Sequence, residues 1–432
     1  MKIFDNYRRF GGGIYARDHS KVDLINSTIN NNSARNGGGI GCSRGSAITI
    51  YGTEITANTT DANEITGFGL GGGIHADDCE LNIGSSSLQK TRITNNIASV
   101  SGGGLYASEG SKVTIKDATN KKDVIVIANN SVERAVSSTS LDNVDGGGIT
   151  IVGTGTVLHA TNLRLINNSA DFTGIPAGTG GAISVRSGAS FTMQIDKSEN
   201  NCGASSIPNN TMCNQIINNS ARSAGVINLK SATATISQTY IAKNTVTTAS
   251  TDSFILAYIL DADLTMQNNI FVNNGFPENN NHHLFRSSLS DLYFAYNTFI
   301  NNYSYKYFQS TFEDSITFKN SIITYENPSD TLLVNFSNTS LDFSCLLLNN
   351  NDAVVAGDNI TMQVDTATLF QTTWPYHLKQ GALAVNKCNP TGNVELPDID
   401  FDHPVSSQFR DAGADKYKFT DFIFANGFEQ SN

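Results

Sequence analysis

The phrase Gly-Gly-Gly followed by an apolar residue stands at Gly11–Ile14, Gly37–Ile40, Gly71–Ile74, Gly102–Leu105 and Gly146–Ile149. Looser copies follow at Gly180–Ile183 and Gly225–Ile227. A phrase that returns every few tens of residues marks one supersecondary unit stacked on the next. Between copies the syntax repeats. Gly11 to Ala34 divides into Gly-Ile-Tyr, then Lys21–Ile25 after a turn, then Thr28–Ala34 after a second turn. Short extended pieces with alternating apolar residues, separated by turns, predict a coil of three strands with every second side chain in a central bore.

Past Gly225 the glycines drop out while the syntax continues. FILAYILDADLTMQNNIFVNN, LFRSSLSDLYFAYNTFINN, YFQSTFEDSITFKNSIIT and LLVNFSNTSLDFSCLLLNN read as four further coils with a more aromatic bore. The fold predicted is all-β, a right-handed parallel β-helix of the pectin-lyase-like solenoid type. It has about eleven rungs over residues 1–350 and is about 50 Å long at the usual strand spacing. Residues 351–420 lose the period and predict an irregular C-terminal cap carrying Trp374, and 421–432 form a short tail.

The Asn pairs fall at one place in the coil: Asn31-Asn32, Asn95-Asn96, Asn129-Asn130, Asn167-Asn168, Asn218-Asn219, Asn273-Asn274 and Asn301-Asn302. Asn tolerates left-handed backbone at a corner. Its amide also bonds the same amide one coil away, as a ladder. Both roles are structural. Insertions interrupt the corners at Thr59–Leu70, Lys116–Asp123, Glu133–Asp145, Asp171–Thr179 and Asp196–Gln215. Loops raised on a rigid scaffold are where binding concentrates.

Net charge is −11, which argues against a basic face for nucleic acid or anionic lipid. No apolar run is long enough for a transmembrane helix. The first ten residues hold no apolar signal core and lead straight into a repeat, so further upstream sequence is expected. Of six cysteines, Cys202 and Cys213 flank a turn-rich loop and are the first disulfide candidate, with Cys42–Cys79 and Cys345–Cys388 as weaker pairings. Disulfides fit an oxidising compartment.

The coil resembles the parallel β-helix repeats of bacterial surface proteins, including the polymorphic outer membrane proteins. Asp365–Phe370 followed by Tyr376–Asn386 resembles the "DPLF … Y-x-L-x-x-G-S-P-A-I-D" pattern of choice-of-anchor Q proteins, with Ala382-Leu383 in place of Ser-Pro and Asn386 in place of Asp. Asp398-Ile399-Asp400 with Asp411–Asp415 resembles their closing motif, although Lys416 replaces the final Glu. Phe424–Glu429 looks like a short ending of exported bacterial proteins. The resemblance implies a protein secreted or held at a bacterial cell surface, and implies no reaction.

Many parallel β-helices cleave polysaccharides, so an enzyme is the competing expectation. Glycoside hydrolysis needs two carboxylates across one bond. Asp77-Asp78 is the only adjacent acidic pair in the coil before Gly225, and GHG and RxK are absent. Counted from each Gly-rich strand, Arg17/Asp18, Ser43/Arg44, Asp77/Asp78, Ser108/Glu109, Val152/Gly153 and Arg186/Ser187 form a column of mixed charge up one corner. Asp18, Asp77, Asp78 and Glu109 are the catalytic candidates in that column, set against a solvated turn with weak ion pairs. A second acid cluster, Asp61, Glu64, Asp142 and Asp145, lies on the loops. No metal site is expected, and no DxDxDG loop supports Ca2+. His75 stands beside the acidic pair. Tyr293, Tyr296, Tyr303 and Tyr305 are candidates for a sugar-stacking platform, against the alternative of edge packing. The expected function is an exported scaffold for adhesion or glycan contact, with polysaccharide or a cell-surface glycan as partner. The alternative is a polysaccharide lyase or glycoside hydrolase.

Overall fold

The computed structural model describes residues 1–61, 69–86, 88–116, 124–133, 144–170, 178–195, 214–247, 254–275, 282–304, 306–325, 330–334, 338–350, 360, 363–370 and 378. It is an all-β parallel β-helix. Every strand ladder is parallel, and each strand pairs with its counterpart one coil away. Ile149–Val152, for example, lies between Leu105–Ser108 and Ile183–Arg186. Three long faces result. The first holds the Gly-rich strands, the second strands such as Lys112–Ile115 and Val157–Thr161, and the third strands such as Ile125–Ala128 and Leu163–Ile166.

The coil is not a plain triangle. Thr28–Ala34, expected as one strand, splits at Asn31 into Thr28–Asn30 and Ser33–Asn36. The second piece belongs to a separate eight-stranded ladder of short strands such as Ser131–Val132 and Ser169–Ala170. The break is conformational. The first Asn of each pair has a left-handed backbone, with φ 54° at Asn31, Asn129 and Asn167. The second Asn is buried and builds the ladder. Asn130 Nδ2 donates to Asn168 Oδ1 at 3.0 Å and to the Ile93 carbonyl at 2.9 Å, while its Oδ1 accepts from Asn96 Nδ2 at 3.0 Å. Ala57 and Lys243 stand in the left-handed position before two further ladder members, Asn58 and Asn244.

The Gly triplet answers to three different neighbours. Gly102 has φ +67°, which side chains disfavour. A Cβ on Gly103 would lie 2.3 Å from the Gly147 carbonyl oxygen of the next coil, and one on Gly104 would lie 3.1 Å from Nδ2 of the ladder residue Asn130. The phrase is therefore a corner and two close backbone approaches.

Alternate residues fill one continuous bore from Leu24 to Leu348. In the later coils it is aromatic, as expected. Phe271 stacks on Phe299 at 4.2 Å, Phe285 on Phe308 at 4.6 Å and Phe294 on Phe318 at 4.7 Å. Offset or stacked aromatic pairs add stabilisation beyond the area they bury.

The disulfide that the structure shows is Cys42–Cys79, inside the bore, with Cα atoms 5.9 Å apart. It joins neighbouring coils at the corner where the register shifts between Asp77 and Cys79. Cys345 is also disulfide-bonded, to a cysteine outside the described residues. Cys202 and Cys213 lie outside the described residues too, as does most of 351–432. Of that C-terminal region, Ile360 packs against the bore cluster, and the apolar residues described after it lie against the outer side of the third face. Asp365 caps a single helical turn, Thr366–Leu369, by accepting from the Ala367 amide. Val364, Leu369 and Leu378 pack with Ile322 and Leu347, and Phe370 reaches the apolar strip of Ile270, Val272 and Ile300.

Candidate functional site

The charged corner expected beside the Gly-rich strands exists. Asp18, Arg44, Asp78 and Glu109 occupy it in sequence, each with positive φ between 52° and 57°. Asp18 and Asp78 meet left-handed backbone at modest cost, as Asp and Asn do, whereas Arg44 and Glu109 hold the same conformation because the corner requires it. Asp18 bonds Arg17 at 3.1 Å and Arg44 at 3.3 Å, with all three side chains well exposed. Such pairs are worth about 0–1 kcal/mol each. Asp77 and Asp78 diverge. Asp77 stays in the ladder beside Ser108, whose hydroxyl donates to its Oδ1 at 3.1 Å, whereas Asp78 is exposed at the bulge.

Two residues before Asp77 in the same strand, the outer side of the first face carries a buried polar network. His75 stacks on Tyr106 of the next coil at 5.5 Å, and both are almost fully covered. Thr150 and Ser184 continue the row on the next two coils. Asp145, from the loop acids, is also buried here. It accepts from Ser184 Oγ at 2.8 Å and from Ser101 Oγ, and it pairs with Arg186 at 2.9 Å. The corner acids and this loop acid thus share one field. Burial pushes the Tyr106 hydroxyl up to about 12, with Arg186 pulling it down and Asp145, Asp77 and Glu109 adding to the rise. Tyr106 is therefore a hydrogen-bond donor at neutral pH, not a base. Asp61 is half-buried, and Glu64 and Asp142 lie outside the described residues.

Burial holds His75 down to about 4, against the opposing pull of Asp77. An unfolded chain binds a proton on this residue below about pH 6.5, whereas the folded chain does so only near pH 4. Stability tied to His75 is therefore fully present above pH 6.5 and falls as pH drops towards 4, by about 3 kcal/mol in total. We expect His75→Phe, which keeps a ring against Tyr106, to flatten the stability profile between those limits. Parallel urea titrations of both proteins at stepped pH check this, and identical slopes would refute it.

Four coils further on, the same corner opens into a groove of about 570 Å³ between the first and second faces. Its lining includes Asp261, Asp263, Asp291 and Glu313, with Ser231 and Leu289. Asp261, Leu289 and Glu313 hold the left-handed corner position, and Asp263 and Asp291 open the next strands directly opposite one another. Like charges set opposite across a ladder oppose folding. Leu289, a bulky residue at φ 54°, is 46% exposed, and Phe312 beside it is 44% exposed. The Leu289 amide donates to the Phe312 carbonyl at 2.7 Å, which ties the two coils together at this corner, and Leu289 gives the groove an exposed apolar edge. Beneath the groove, Asp314 is buried and accepts from Ser287 Oγ at 2.7 Å and the Ser290 amide at 3.0 Å. Burial raises its carboxyl above the usual range, against hydrogen bonds from Ser310, Ser287 and Ser290.

The groove acids escaped the sequence count because that count was anchored on the Gly phrase, which has gone by this point. Asp261-Ala262-Asp263 and Ser290-Asp291 were visible signals at the same corner. Among the described residues, Tyr293, Tyr296 and Tyr303 do not gather into one platform. Tyr293 is half-buried on the outer side of the second face, two residues from Asp291. Tyr296 is buried at the following corner, Tyr303 is half-buried at another, and Tyr305 lies outside the described residues. Among the described residues no set of three His, Cys, Asp or Glu side chains is placed to hold a metal ion. No described helix is long and apolar enough to cross a membrane. No protein-family model matches the chain, and no curated protein matches it.

Proposed function

We propose that this chain is an exported β-helix scaffold that contacts glycans through the corner groove without cleaving them. The observation that carries this reading is the groove's make-up: carboxylates from successive coils beside an exposed apolar lip formed by Leu289. Sugar rings present an apolar C–H face and a rim of hydroxyls. The lip suits the first, and carboxylate acceptors suit the second. Four acids favour neutral sugars and amino sugars and repel uronates. The described lining holds no Lys, Arg or His to serve with a carboxylate in elimination. Export is supported by the disulfide-bonded Cys42, Cys79 and Cys345, since such bonds persist in oxidising compartments. A bacterial cell-surface setting rests on the repeat and C-terminal resemblances.

A panel of neutral, amino and uronic oligosaccharides tests the proposal by calorimetry, with product analysis in parallel. We expect binding of the neutral or amino members and no new reducing ends. Asp263→Ala/Asp291→Ala should weaken that binding by about tenfold or more, the scale of one to two charge-assisted hydrogen bonds. Reducing ends or unsaturated uronates that vanish on Asp291→Asn or Asp78→Asn would establish the lyase or hydrolase reading instead.

A further inference from the structure

Further along the outer side of the first face, Asn228, Tyr258, Arg286 and Gln309 stand in one row. They are register partners on successive coils, about 14 Å from end to end at the inter-strand spacing. Their chain neighbours fill the bore, Ala257 and Ile259 beside Tyr258 and Phe285 beside Arg286, so the row itself faces outward. Tyr258, Arg286 and Gln309 are half-buried there.

Arg286 is held by a ring instead of an acid. Its guanidinium carbon lies 4.9 Å from the centroid of Phe254, which is buried and stacks on Tyr258 at 5.8 Å. Stacking fixes an arginine in place while its charge stays unneutralised and its N–H fork stays open. Among the described residues no carboxylate pairs with it. The chain is acidic, with a net charge of −11, so acids are not in short supply. Arg186 on the same face does have one, Asp145 at 2.9 Å. Lys230, two residues after Asn228 on its strand, is exposed and also pairs with no carboxylate among the described residues. Gln309 carries a second unmet requirement. Its Oε1 is buried and accepts from no described donor. A buried acceptor without a donor destabilises the free protein, and a ligand hydroxyl placed there removes that penalty.

These groups together select a ligand. An arginine fork takes an oxyanion through two parallel bonds. The Tyr258 ring beside it offers a flat apolar surface. Gln309 and Asn228 hold amides at the two ends of the row, and Asn228 Nδ2 reaches Ser184 Oγ at 3.3 Å. An oxyanion carried on a ring with an apolar face and a rim of hydroxyls meets all of these at once. A peptide carboxylate would meet only the arginine. We propose that the row from Asn228 to Gln309 binds an acidic sugar unit, carboxylated or sulfated, with Arg286 holding the oxyanion and Tyr258 the ring. This site stands apart from the corner groove, whose carboxylates repel such a unit.

Calorimetry of the full chain tests this with three matched oligosaccharides, one bearing uronates, one bearing sulfates and one neutral, and with an oligoglutamate of equal charge. At least one anionic sugar should bind, and more weakly as salt rises. The tighter of the two identifies the oxyanion. Arg286→Gln should weaken that binding by about tenfold or more, and Arg286→Lys, which keeps the charge and loses the fork, by about threefold. Asp263→Ala/Asp291→Ala, which removes groove acids, should leave it in place, so the two sites fail separately. Failure of both anionic sugars to bind, unchanged affinity in Arg286→Gln, loss of binding in the groove variant, or an oligoglutamate that binds as tightly as the sugars would each overturn the proposal. Circular dichroism of the arginine variants, unchanged from the parent, confirms that what they lose is binding.

Discussion

Asn130→Ala should lower the free energy of unfolding by about 4 kcal/mol, although it removes only a short polar side chain. The side chain of Asn130 is fully buried and makes bonds in both directions along the solenoid. It donates to Ile93 O and Asn168 Oδ1 and accepts from the amide and Nδ2 of Asn96. Alanine leaves the Asn96 amide and one Nδ2 hydrogen without acceptors in a dry corner. Each buried polar group so stranded costs about 1–3 kcal/mol. Asn130→Asp should do no better, because a carboxylate cannot donate and would face two acceptor oxygens. The neighbour provides the control. Asn129 is exposed with φ 54°, and its Oδ1 accepts a solvent-exposed bond from Asn167 Nδ2 at 3.1 Å, so Asn129→Gly keeps the backbone it needs and should change stability by at most about 0.5 kcal/mol. Urea unfolding of the three variants decides the matter. Equal midpoints for Asn129→Gly and Asn130→Ala would show that the ladder is not what holds this corner.

Removing the bore disulfide should cost about as much. Cys42 and Cys79 are 37 residues apart in sequence, and the chain-entropy account gives about 4 kcal/mol for closing a loop of that size. Cys42→Ala/Cys79→Ala is the suitable variant. Both sulfurs sit in the apolar bore, and serine would bury two hydroxyls there. We expect a lower melting temperature in the variant, and a matching fall when the parent protein is melted with reductant. The effect should centre on the early coils, since a solenoid couples mainly nearest neighbours. Hydrogen exchange can read this locally. Faster exchange in Ile40–Tyr51 and Ile74–Gly84, with Ser315–Tyr325 unchanged, is the expected pattern. Uniform acceleration along the chain would contradict it.

What was legible in the sequence was whatever the backbone demands of each coil separately. Gly102 and its counterparts mark a positive φ and two close approaches, so the phrase repeats with the coil. Asn129 and Asn130 show their place by recurrence, although only the structure divides their work, one to the corner and one to the ladder. The short fourth ladder was not legible, because Ser131–Val132 and Ser169–Ala170 are too short to show a period of two. Nor were Asn58 and Asn244, because Ala57 and Lys243 hide the pair that signals them.

The charged corner was found by counting from the glycines, and the count failed where the glycines ended. The groove of Asp261, Asp263, Asp291 and Glu313 therefore went unseen, although it occupies the same corner. Asp145 and Arg186 lie 41 residues apart, in a loop and a strand, and no local pattern joins them. The solenoid, its register marks and the aromatic later bore were thus legible in the residues alone. All three repeat with the coil, and a repeating physical requirement writes a repeating pattern. Which carboxylates are buried and paired, which are left open above a groove, and which cysteines meet came only with the folded coils. Those outcomes depend on stacking, where insertions of unequal length bring distant residues to one height on the solenoid.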